Sequence, residues 1–206
     1  MSSRPYGMYL AYFTLAALIF NILLAVYFGF GFGSALVGFL IAVTPFVFTK
    51  YTKIKFPWFV YFLVCLAVLI HISGYIQGRY LNIPNWDTLA HTVSGSIIAL
   101  LGFVLILFMD KMRKYNLDPT FIAAFTVMFG MAGEYLWEIY EFIVDQLIGG
   151  SLAGQMQADN TDTMMDMIFV FIPSVIVALV GYYYVKKYKK ESIMHEMTKD
   201  STYLRD

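Results

Sequence analysis

Six apolar stretches dominate this chain, at residues 9–30, 34–48, 57–76, 88–109, 120–147 and 164–185. A helix needs about 20 apolar residues to cross a bilayer. Only helices or closed barrels satisfy their own backbone there. The pattern therefore predicts an all-α, polytopic membrane helix bundle with six transmembrane helices. At 206 residues the chain reads as a single transmembrane domain, residues 1–206, ending in a basic tail at 186–206. The second stretch is short and contains Pro45, so a re-entrant hairpin is its alternative. The first is too long for a cleaved signal and reads as a retained span. Glycines 29, 31 and 33 mark the first turn.

The formal net charge is zero, but the charges are unevenly placed. With both termini in the cytoplasm, thirteen of the fourteen Lys and Arg residues fall inside and only Arg79 falls outside. This agrees with the positive-inside rule and favours six full spans over five spans and a hairpin. Asp87, Glu134, Glu138, Glu141, Asp145, Asp159, Asp162 and Asp166 then gather at the outer side. A charged side chain at membrane depth is costly and needs a partner, so the acidic group is the best pointer to function. The basic tail is short and next to the membrane. It speaks for orientation and lipid contact, not for nucleic-acid binding.

Three segments carry the chemistry. The fourth span opens WDTLAHTVSGS, which puts Asp87 and His91 at i and i+4 on one helix face. That pair can hold a metal, or Asp87 can orient the imidazole; an acid favouring the helix dipole beside an interfacial His is the plainer reading. The fifth span carries GEYLWEIYEFIVDQ, with Glu134, Glu138, Glu141 and Asp145 along one stripe. No Lys or Arg occurs between Lys114 and Lys186, so cations, protons or waters must offset these acids. The following Gly-rich loop, with Gly149, Gly150 and Gly154, is expected to fold over the site. It leads into Asp159, Asn160, Asp162 and Asp166, with Asp159 or Thr161 as helix N-cap. His71 and Arg79 are secondary candidates beside Asp145 and Asn160. Gly130 and Gly133 allow close helix approach below Glu134. Cys65 is a lone cysteine in an apolar run, which excludes a disulfide framework. Motifs for serine hydrolases, zincins and P-loop NTPases are absent.

The order D-x3-H-x3-G (Asp87, His91, Gly95), E-x3-E-x2-E-F (Glu134, Glu138, Glu141, Phe142) and D-T-x2-D-M (Asp162, Thr163, Asp166, Met167) resembles the YjdF-like inner-membrane proteins, a domain of unknown function. The likeness spans roughly residues 56–182. It implies an inner-membrane protein with these polar residues as its functional core, and no established substrate. A fainter likeness to VanZ-like proteins rests on the acid–His start and the late Asp/Asn pair. The chain lacks the Arg that those proteins place before that pair, so nothing is carried over from them.

Three functions fit these residues. The first is an enzyme with an extracytoplasmic divalent metal (Mg, Mn, Zn or Fe) acting on a lipid or lipid-phosphate substrate. Asp87, His91, Glu138, Asp162 and Asp166 would be ligands, and Glu134 or Glu141 the general base. The second is a cation- or proton-coupled transporter. It needs an inner half of its pathway, yet no ionisable residue lies between Asp118 and Glu134. The third is a non-enzymatic scaffold whose polar core fixes helix packing.

Overall fold

A computed structural model describes residues 4–52, 56–148 and 156–188. It contains α1 (Arg4–Phe28), α2 (Phe32–Thr52), α3 (Trp58–Ile76), a short α4 (Arg79–Asn82), α5 (Trp86–Arg113), α6 (Pro119–Ile148) and α7 (Asn160–Lys187). Among the described residues there is no strand. All of these helices except α4 are long and apolar enough to cross a membrane. The short second stretch is part of one continuous helix, α2, and not a re-entrant hairpin. Pro45 sits inside it, as is tolerated in spanning helices.

The chain packs as two compact units that meet in sequence at Trp86 and Asp87. In the first, α1, α2 and α3 contact one another around Leu18, Ala25, Ala35, Ala42, Cys65, Val68, Ile72 and Ile76. Small residues on facing helices allow this closeness, since packing rather than water exclusion joins helices in lipid. The α1–α2 turn places Gly29 and Gly31 at φ 73° and 71°, where a side chain would strain the backbone.

The second unit is built from α5, α6 and α7. Asp118 Oδ1 accepts from Thr120 N at 2.7 Å, and Pro119 follows at the first position of α6, where its missing N–H costs nothing. Asp110 is buried and its Oδ1 accepts from Leu117 N at 2.9 Å, closing the α5–α6 turn. Asp159 caps α7, accepting from Thr161 N and Asp162 N. A Cβ at Gly130 would meet Ser174 Oγ of α7, and one at Gly133 would lie 2.8 Å from Ile98 of α5. Both glycines thus make the expected close approach. The chain direction puts the start of α5, the end of α6 and the start of α7 at one end of this unit. Lys111, Arg113, Lys186 and Lys187 lie at the other.

The expected glycine lid (residues 149–155), Lys53 and Lys55, and most of the basic tail (189–206) lie outside the described residues.

Candidate functional site

α6 is amphipathic in the reverse of the soluble sense. Glu134, Glu138 and Glu141 are buried, while Tyr135, Leu136, Ile139 and Phe142 are exposed. The apolar face suits acyl chains, and the carboxylates turn inward to polar partners.

His91 is where the second unit's helices converge. It is buried, and its Nδ1 lies 2.7 Å from Glu134 Oε1. With Glu134 as carboxylate, Nδ1–H is the donor. Nε2 faces Asp87 Oδ1 at 3.5 Å and Asp166 Oδ2 at 3.8 Å. Charge-assisted hydrogen bonds are shorter, about 2.7–2.9 Å. Donor atoms around an ion, each about 2.1 Å from it, stand roughly 3–3.5 Å apart. Two overlapping groups could hold a metal ion: Asp87, His91 and Asp166, and His91, Glu134 and Glu138. In each, ligand atoms lie within 4.8 Å of one another.

The other expected residues take different places. Asp162 belongs to neither group, and its Oδ2 accepts from Ala158 N at 2.9 Å. Glu141 Oε1 accepts from Trp137 Nε1 at 2.8 Å within its own helix. Asp145 anchors the chain entering α7, with Oδ1 accepting from Met156 N at 2.8 Å and Oδ2 from Gln157 N at 2.9 Å. Asn160 opens α7 and lines a groove beside Glu138. His71 and Arg79 lie in the first unit. Tyr80 Oη is 2.8 Å from His71 Nδ1. Arg79 donates twice to Gln77 Oε1, at 3.1 and 2.7 Å, and lies over the Trp86 ring.

Gln157 was not foreseen. Its Nε2 donates to Glu138 Oε2 at 2.7 Å and to Glu138 O at 3.2 Å. A glutamine in a polar loop carries no pattern that would have marked it. Asp159, outside the spans, is held below the usual carboxylate range by the backbone N–H of Asp162 and then that of Thr161.

A family model described as "Predicted membrane protein (DUF2238)" matches residues 6–187. The chain belongs to this family. The DUF2238 match takes in all six apolar helices and the whole His91 cluster. No curated protein and no solved structure matches the chain.

Proposed function

We propose that the protein is a divalent-metal-dependent membrane enzyme acting on a lipid or lipid-linked substrate, with its site on the extracytoplasmic side of the cytoplasmic membrane. One observation carries this reading. His91 gives Nδ1 to Glu134 and turns Nε2 toward Asp87 and Asp166. A metal-ligating histidine commonly donates its second ring N–H to a carboxylate, which fixes the tautomer and strengthens the ligand nitrogen. Glu134 fills that role, and Asp87, His91 and Asp166 are the ligands. One imidazole with carboxylates suits Mg, Mn, Zn or Fe. Such an ion would acidify a bound water and polarise a substrate oxygen.

The charge pattern supports the same reading. Buried carboxylates at Glu134 and Asp166 need a cation or a proton to offset their charge, and the sequence offers no Lys or Arg from residue 115 to 185. The bases at the other end of the unit favour a cytoplasmic position there. On this reading the cluster faces the extracytoplasmic side.

The transporter reading draws less support. Beyond Glu134, toward the basic end, the buried polar residues within α6 and α7 are Thr126 and Ser174, neither of which carries a charge, and the buried Asp110 of α5 is engaged by Leu117 N in the α5–α6 turn. The test is incubation of the reconstituted protein with short-chain phospholipids, with and without added divalent metal. Metal-dependent product release that is lost in Asp166→Asn supports the proposal. Proton or cation flux through proteoliposomes without lipid turnover contradicts it.

A further inference from the structure

A groove of about 520 Å³ lies between α6 and α7 at the acidic end of the second unit. That is within the usual range for small-ligand sites, about 300–1,000 Å³. Its walls differ in chemistry. Tyr135, Ile139 and Phe142 form one side and remain exposed on a spanning helix, so that side opens toward acyl chains. Glu138, Asp145 and Asp159 line the groove as well, together with Gln157, and no Lys or Arg is among the lining residues.

Glu138 points to a ligand. It is 4% exposed, and Gln157 occupies its Oε2. Its Oε1 makes no hydrogen bond of good geometry among the described residues, and the Thr163 hydroxyl is a further side-chain donor beside the carboxylate. Buried acceptors rarely lack a donor. The donor that fits here also carries positive charge, because an anionic headgroup would meet three carboxylates and no base. Asp145 and Asp159 accept backbone N–H groups, and Asp159 the Thr161 hydroxyl as well, which holds these carboxylates in place while leaving their negative charge. An ammonium group offers three donors and the complementary charge.

We infer that this groove binds the cationic amine headgroup of a lipid-like amphiphile, with the ammonium among Glu138, Asp145 and Asp159 and the tail along Tyr135, Ile139 and Phe142. The inference rests on the proposed function, for which it supplies the substrate class. Glu138 lines the groove and also belongs with His91 and Glu134 to a metal-capable group, so the headgroup sits beside the metal cluster.

The test uses full-length protein in phosphatidylcholine nanodiscs. Three photoreactive C18 probes share one diazirine-bearing chain and differ in the head: amine, alcohol or carboxylate. The amine should label α6 and α7 peptides about tenfold more than the carboxylate, corresponding to about 1.4 kcal/mol. Labelling should fall by a similar factor in Glu138→Gln and in Asp159→Asn. The second variant keeps a good N-cap at an exposed position and carries the test if the first fails to fold. Ile139→Trp should block labelling by narrowing the groove. Equal labelling by all three probes, or undiminished amine labelling in Asp159→Asn, overturns the inference. Metal content of the same samples separates the two claims. Metal present without amine preference contradicts the groove alone, and amine preference without metal contradicts the metal reading alone.

Discussion

His91 of α5 and Glu134 of α6 face each other at 2.7 Å, both buried, which ties two spanning helices together by a histidine–carboxylate contact. The pairing makes Glu134 an orienting group for the imidazole. Glu134→Gln keeps the size and an acceptor oxygen but removes the charge. It should preserve the fold while lowering metal affinity about 10–100-fold, as read by competition with a calibrated chelator. Glu134→Ala leaves the buried Nδ1–H of His91 without its acceptor and should cost about 1–3 kcal/mol of stability. Thermal unfolding in detergent checks this; equal stability of the two variants would count against the His91–Glu134 hydrogen bond.

Asp145 fastens the chain before α7 through the N–H groups of Met156 and Gln157. Asp145→Ala should raise hydrogen exchange at these two amides about tenfold, the loss of about one hydrogen bond's net worth each. Exchange within α5 should not change. Unaltered exchange at 156 and 157 would show that the segment is held by other contacts.

How much of this could be read from the chain follows from what each pattern encodes. Span length fixes six helices because the bilayer sets it. It fixes their ends less well, since hydrogen-bonded turns continue into polar sequence: α2 runs on to Thr52 and α7 starts at Asn160, beyond the apolar limits. The i, i+4 spacing of Asp87 and His91 was legible because a single helix dictates it. The choice of Glu134, among four acids on α6, as the partner of His91 was not. It depends on the axial register of two helices, which side-chain packing sets. The same holds for Gln157, whose position follows from how Asp145 holds its backbone. Asp162 read as a ligand because it lies one turn before Asp166, but its Oδ2 accepts from Ala158 N.

Ser174 is fully buried against Gly130, and its Oγ has no hydrogen-bond partner among the described residues. Ser174→Ala should therefore be neutral or stabilising by about 1 kcal/mol. Gly130→Ala should cost about 1–3 kcal/mol by overpacking, and adding Ser174→Gly should recover most of that loss. Unfolding of these variants, with Ser174→Gly alone to complete the cycle, checks this; a clear loss in Ser174→Ala would reveal a partner for the hydroxyl.

Asp159 caps α7 with a carboxyl held below its usual range by backbone N–H donors. A lowered folded-state value means that the cap's stabilisation is fully present above the unfolded value, about 3.9, and is lost as pH falls through the folded one. Wild type should thus melt above Asp159→Ala at pH 6, and the gap should close on acidification below about pH 4. A gap independent of pH would contradict a charged cap.

The central claim is that His91, Asp87 and Asp166 hold a divalent ion. Elemental analysis of chelator-free purified protein tests it directly, beside His91→Ala, Asp87→Asn/Asp166→Asn and the control His71→Gln. The account predicts near-stoichiometric metal in wild type and in His71→Gln, and its loss in the other two. Metal-free wild type, or metal retained in His91→Ala, would contradict it.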